Sequence, residues 1–167
     1  MSSTFVAILM GSDSDLPVMQ ATIDILKKFG IEHEVRVRSA HRTPDAAKAY
    51  VKDAEERGCK VFICAAGLAA HLAGAVAGMT TRPVIGVPVD NGPLQGHDAL
   101  LSTVMMPGGI PVATVAIGKA GAKNAGYLAA QILGVADQAT ADKVKAERVA
   151  NAEALLAKDD AMQAKLG

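Results

Sequence analysis

Val61-Phe62-Ile63-Cys64-Ala65-Ala66-Gly67-Leu68-Ala69-Ala70-His71-Leu72-Ala73-Gly74-Ala75-Val76-Ala77-Gly78-Met79 is the stretch on which the fold turns. No Asp, Glu, Lys or Arg occurs between Lys60 and Arg82, so the segment has the charge-free length of a bilayer span, ~20 residues. Its interior speaks against one. Gly67, Gly74 and Gly78 interrupt it, His71 sits at its centre, and β-branched residues give way to alanines halfway along. That is how a buried strand turns into a helix. The segment therefore reads as a strand over Val61 to Ala65 and a helix over Ala69 to Met79.

Outward from it, the chain alternates short apolar runs with longer helical patterns, as strands and helices of a parallel sheet do. Further strands are read over Phe5 to Met10, His33 to Arg38, Val84 to Val87 and Val112 to Ile117. The first, third and fifth strands are apolar enough to be covered on both faces, whereas the second alternates and belongs nearer an edge. Helices are read over Leu16 to Phe29, Pro44 to Arg57, Asp98 to Met105 and Ala120 to Leu133. Gly30 and Gly58 supply the left-handed residues that end helices, and Thr43 is placed to cap the second helix with Pro44 in its first turn. The expectation is an α/β fold, a doubly wound, flavodoxin- or Rossmann-like parallel sheet of five strands in three α/β/α layers. Residues 1–167 form a single domain, with a core over 5–134 and a C-terminal helical arm over 137–166. In the arm Val144, Val149, Ala152, Leu155, Leu156 and Met162 make a modest apolar stripe, expected to dock on another subunit.

Composition narrows the function. Half of the 167 residues are apolar, enough for one core. The 17 basic and 17 acidic residues cancel, leaving no excess charge to gather nucleic acid or an anionic membrane. Aromatics are limited to Phe5, Phe29, Phe62, Tyr50 and Tyr127, with no Trp, so little is available to stack bases or a large flat cofactor. Cys59 and Cys64 lie on one apparent strand, out of disulfide reach and read as facing opposite sides. Together with an opening Met1-Ser2-Ser3-Thr4 that lacks a basic leader, this predicts a reduced, cytoplasmic protein.

In such a sheet the loops leaving the strand C-termini emerge on one edge, where ligands bind. Gly11-Ser12-Asp13-Ser14-Asp15 combines backbone amides and hydroxyls suited to a phosphate, with Asp15 able to accept from sugar hydroxyls. A helix cap by Ser14 or Asp15 accounts for the same residues. In Ser39-Ala40-His41-Arg42-Thr43-Pro44-Asp45, Arg42 offers a planar fork for phosphate, Ser39 a hydroxyl, and His41 a proton carrier. A surface histidine beside an Arg42–Asp45 pair is the plain alternative. The small residues around Gly67, Ala70 and Leu72 let a ligand approach the backbone, and His71 is either a ligand contact or a buried histidine with satisfied hydrogen bonds. Pro88 to Asp98 and Met106 to Pro111 are either a cover over the site or structural connections. His33, His41, His71 and His97 lack metal-site spacing, so no metal is expected. Hydrolase-elbow, P-loop and dinucleotide motifs are absent.

The ordered fragments Met10-Gly11-Ser12-x-Ser14-Asp15, Ser39-Ala40-His41-Arg42-Thr43-Pro44, Ala65-Ala66-Gly67-x-Ala69-Ala70-His71-Leu72 and Gly108-Gly109-Ile110-Pro111-Val112 through Ile117-Gly118-Lys119-Ala120-Gly121-Ala122 closely resemble the N5-carboxyaminoimidazole ribonucleotide mutase family (class I, AIR carboxylases) of purine biosynthesis. The resemblance covers about residues 5–134. It implies a cytoplasmic homo-octamer, without cofactor or metal, that moves a carboxylate from the exocyclic nitrogen of an imidazole ribonucleotide to a ring carbon. It also implies His41 as the proton carrier, with Ser12, Asp15, Ser39 and Arg42 on the phosphate and ribose and His71 at the base and carboxylate. Gly11, Ser14, Gly67, Ala70 and Leu72 complete the implied substrate contacts. Leu68, Ala73, Gln95, His97 and Met105 depart from residues common in the family. A related branch carboxylates aminoimidazole ribonucleotide directly with carbon dioxide and typically has Lys after the catalytic His; Arg42 with Pro44-Asp45 favours the mutase. Two readings from other classes are a flavin-nucleotide electron carrier, which needs aromatic stacking partners the loops lack, and a noncatalytic nucleotide sensor, which has no need of His41.

Overall fold

Strand and helix alternate through the chain as the apolar pattern requires. The computed structural model describes residues 4–167, so the reading of Met1 to Ser3 lies outside the described residues. Strands β1 (Phe5–Met10), β2 (His33–Val37), β3 (Cys59–Gly67), β4 (Val84–Val89) and β5 (Ala113–Thr114) form one sheet, ordered β2-β1-β3-β4-β5 and parallel throughout. Helices α1 (Leu16–Phe29), α2 (Pro44–Arg57), α3 (Leu72–Ala77), α4 (His97–Val104), α5 (Gly118–Gly134) and α6 (Gln138–Leu166) connect and follow them. A single 3-10 turn, Asp13–Asp15, precedes α1.

The strands alternate their side chains between two apolar layers. On one side Val6, Ile8, Val61, Ile63, Ile85 and Val87 pack against Met19, Leu26, Ala125 and Ala129 of α1 and α5. On the other, Ala7, Leu9, Phe62 and Cys64 meet Tyr50, Val51, Leu72 and Val76 of α2 and α3. The chain leaves β1 toward β2 on one side and crosses back to β3 on the other. The direction of winding thus reverses beside β1, opening a crevice at the strand C-termini. Gly30 (φ 69°) and Gly58 (φ 107°) end α1 and α2 in the left-handed conformation, as expected.

Several expectations are corrected. Val112 to Ile117 is not a strand covered on both faces: only Ala113 and Thr114 pair with β4, at the sheet edge, whereas β4, like β1, is buried along its whole length. Apolar residues alone do not reveal on which side of a strand a neighbour lies. Cys59 and Cys64 share one apolar layer, because the register slips between Phe5 and Val6, leaving Lys60 as an extra residue that reverses the alternation. Both thiols are free and buried, and burial pushes Cys59 up to about 11 and Cys64 higher still. The helix expected over Ala69 to Met79 spans only Leu72–Ala77, the chain leaving β3 through the left-handed Leu68 (φ 55°) and reaching helical conformation three residues later than expected.

The arm is one helix and divides in two. Its first part docks on its own chain: Thr140 is buried, Val144 packs on the α1–α5 layer, and the Lys143 ammonium donates to the Phe29 carbonyl at 2.9 Å. Glu147 accepts from Lys28 and from the Tyr127 hydroxyl, which holds its carboxyl below the usual range. From Arg148 onward every residue is exposed, including Val149, Leu155, Leu156 and Met162 of the expected stripe. No helix among the described residues is long and apolar enough to cross a membrane.

Candidate active site

The crevice beside β1 is a cleft of about 500 Å³ whose walls come from the loops after β1, β2, β3 and β4. Gly11, Ser12, Ser14, Asp15, Ser39, His41, Arg42, Gly67, His71 and Leu72 all line it. Ala70 does not. It is buried behind the cleft, its N–H donating to Ser102 Oγ of α4 at 2.9 Å and its carbonyl accepting from the Thr103 hydroxyl at 3.4 Å. Ala70 thus anchors the loop that presents its neighbour, His71.

The first wall is a reciprocal cap. Ser12 Oγ accepts from the Ser14 N–H at 3.3 Å, and Asp15 Oδ2 accepts from the Ser12 N–H at 3.2 Å. Ser12 therefore caps the 3-10 turn with its side chain, while Asp15 stands at the N-cap position of α1 without a side-chain cap bond to it. Asp15 is only 2% exposed. Burial raises its carboxyl above the ordinary value, and the negative charge of Asp13 adds to the effect; the N–H of Ser12 and the side-chain amide of Asn91 oppose it.

The second wall is a tight turn ahead of α2. Thr43 does not cap α2 with its side chain. Its hydroxyl instead accepts from the Ser39 N–H at 2.9 Å and donates to the Ser39 carbonyl at 3.1 Å, while Ser39 Oγ accepts from the Arg42 N–H at 3.1 Å. This closed turn holds Ala40 to Arg42 outward over the cleft. Arg42 Nη2 donates to the Gly11 carbonyl at 3.0 Å, joining the second wall to the first; it does not pair with Asp45. A guanidinium over a loop of amides and hydroxyls is a site for a dianion.

The third wall brings the two histidines together. His71 is not a buried histidine: it is exposed at the N-terminus of α3, and its Nδ1 lies 2.7 Å from His41 Nε2, with the rings edge to face. One of these nitrogens carries the shared proton and the other accepts it. The pair is separated by 30 positions, so spacing along the chain carries no trace of it. Among the described residues no three His, Cys, Asp or Glu side chains gather as metal ligands.

Asn91, in the loop after β4, also lines the cleft, and its Nδ2 donates to Asp15 Oδ1 at 3.1 Å. The sequence reads its loop as either a cover over the site or a structural connection and does not single Asn91 out; the available signal is an amide just past the end of a fully apolar strand. Met106 to Pro111 stays out of the cleft walls, with Met106 packed beside Gly74 of α3.

Comparison with known proteins gives a consistent result. Residues 5–154 match the AIR carboxylase family. An N5-carboxyaminoimidazole ribonucleotide mutase of Thermotoga maritima is 59% identical over 140 residues, covering 84% of this chain and 81% of the relative. The same-named protein of Bacillus subtilis is 52% identical over 155 residues, covering 93% and 96%. Among solved structures, that of Treponema denticola PurE superposes with a TM-score of 0.85 at 34% identity, covering 95% of this chain and 98% of the other.

Proposed function

The chain belongs to the AIR carboxylase family, and on that premise we propose how its cleft works. The activity is that of the mutase branch: N5-carboxyaminoimidazole ribonucleotide is converted to 4-carboxy-5-aminoimidazole ribonucleotide in purine biosynthesis. The observation that carries the assignment of residues is the His41–His71 pair, set beside a loop of amides and hydroxyls joined by Arg42.

In this reading Arg42, Ser39, Ser12 and Ser14 hold the phosphate, and Asp15 accepts from the ribose hydroxyls. The backbone of Gly11, Gly67 and Leu72 lies close to the substrate, with His71 at the base. The carbamate C–N bond breaks as His41, in its imidazolium form, gives a proton to the exocyclic nitrogen, releasing carbon dioxide and the free amine. The electron-rich ring carbon, an enamine terminus, then attacks the carbon dioxide and forms the new C–C bond. That carbon now bears both hydrogen and carboxylate, and neutral His41 removes the proton, restoring the aromatic ring. The proton gained equals the proton given, so the enzyme returns to its starting state. His71 orients the His41 ring and shares its proton between steps. Small residues at Ala66, Gly67 and Ala69 shape the cleft closely enough to retain carbon dioxide between the two steps.

The same reading places the reaction in the cytoplasm, where the free thiols of Cys59 and Cys64 remain reduced. It assigns the exposed half of α6 to contacts within a homo-octamer. The test is incubation of the protein with the carbamate ribonucleotide in the absence of ATP. Appearance of the carboxylate on the ring carbon is expected; accumulation of the decarboxylated amine alone refutes the mechanism.

A further inference from the structure

Asp15 is held from two sides, and only one of them belongs to its own loop. Its Oδ2 accepts from the Ser12 N–H as part of the cap, whereas Oδ1 accepts from Asn91, 76 positions away in the loop after β4. That loop is seated by contacts at the cleft mouth. A Cβ on Gly67 would lie 1.5 Å from Asn91 Oδ1, so the amide crosses directly over a residue that must be glycine. A Cβ on Gly92 would lie 2.6 Å from Leu68 Cδ2, so Leu68 rests against the backbone beside Asn91. Leu68 (φ 55°) and Gln95 (φ 52°) are the non-glycine residues in the left-handed region among the described residues, and they stand at the two loops that enclose Asn91. Such a conformation is unfavourable in an ordinary residue and persists where surrounding structure demands it.

We propose that Asn91 is a positioning residue that acts through Asp15, fixing the carboxylate so that the remaining lone pair on each oxygen faces a pair of neighbouring substrate hydroxyls. An ionised carboxylate offers about four acceptor directions. One on each oxygen is used by the protein, and the two that remain are spaced for a vicinal diol. Without Asn91 the carboxylate keeps a single donor and turns about its terminal torsion, which is soft. The proposal rests on the ribose-binding role given to Asp15 above.

The test is a double-mutant cycle on the carboxylate transfer, with kcat and KM measured for Asn91→Ala, Asn91→Leu, Asp15→Asn and the Asp15→Asn/Asn91→Ala pair. Asn91→Leu fills the same space without a donor, so it separates hydrogen bonding from loop packing. Melting temperatures monitor folding of each variant. Both Asn91 variants are expected to raise KM roughly tenfold with kcat within about twofold of the parent. In the Asp15→Asn background Asn91→Ala should add less than about a twofold change. An unchanged KM in Asn91→Leu, or the same factor in both backgrounds, overturns the proposal while leaving the role of Asp15 intact. If Asp15→Asn itself leaves KM unchanged, the ribose-binding role falls and the proposal falls with it.

Discussion

His41 lies exposed in a turn whose hydrogen bonds run through Ser39 and Thr43, so its ring is not needed to hold the backbone. Replacing it with asparagine should abolish carboxylate transfer, because an amide exchanges no proton near neutral pH. The melting temperature and substrate binding should stay close to those of the parent; near-normal transfer would make His71 the proton carrier instead. Asp15 predicts the opposite trade. Its folded pKa is raised, so the native state binds the proton more tightly than the unfolded chain does. Its ionised form therefore subtracts from stability, increasingly as pH rises from the ordinary carboxylate range through the raised value, and fully above it. Asp15→Asn removes that penalty and keeps both contacts if the Asn91 amide turns over to accept. At neutral pH the variant should melt at a higher temperature than the parent while binding substrate less tightly. The gain should vanish in acid, and a lower melting temperature at neutral pH would show that the two hydrogen bonds outweigh the burial of charge. The chemical types of these residues were legible one by one in the sequence. Their pairing was not, because His41 with His71 and Asp15 with Asn91 meet only when separate strand ends are brought to one edge.

The sheet is held on one side by a close crossing of two helices. Gly126 of α5 leaves no room for a side chain: a Cβ there would lie 2.8 Å from Ile25 Cβ and 3.2 Å from the Thr22 carbonyl oxygen of α1. The Thr22 hydroxyl donates to the Ala122 carbonyl at 2.6 Å, tying the same helices together. Gly126→Ala should therefore destabilise the protein by about 1 to 3 kcal/mol, read as a reduced denaturation midpoint, despite the higher helix propensity of alanine. A stabilised variant would mean that α1 and α5 can separate freely. Element boundaries were most legible where a local signal ends them. Phe5–Met10, Leu16–Phe29 and Pro44–Arg57 agree with the sequence reading to the residue, since Gly30, Gly58 and Pro44 act through their own backbone torsions. The start of α3 was not legible, because the left-handed Leu68 is stabilised by a neighbouring loop and by no local preference.

Across the whole molecule α6 has two fates, with Thr140, Val144 and Glu147 on their own domain and everything from Arg148 onward exposed in a single chain. A long helix with little apolar periodicity gains little from standing free in water. Ending the chain after Arg148 should therefore leave the secondary structure of the core intact and reduce the number of chains per particle found by light scattering. An unchanged number of chains would remove the arm from assembly. The same cut made after Gly134 should also lower stability, because it uncovers α5 where Val144 packs.

The parallel α/β architecture, the bounds of β1, α1 and α2, the second strand's edge position and the family were all legible along the chain. Periodicity, glycine and proline torsions and short motifs are properties of neighbours along the chain, readable without coordinates. The tertiary structure alone decided that Lys60 is a bulge which turns Cys59 toward Cys64, that β5 shrinks to an edge, and that α6 divides in two. It also brought His41 to His71 and Asn91 to Asp15. These depend on which surfaces meet after the strands are ordered, and that is settled by burial and hydrogen-bond satisfaction summed over distant residues, which no local pattern records.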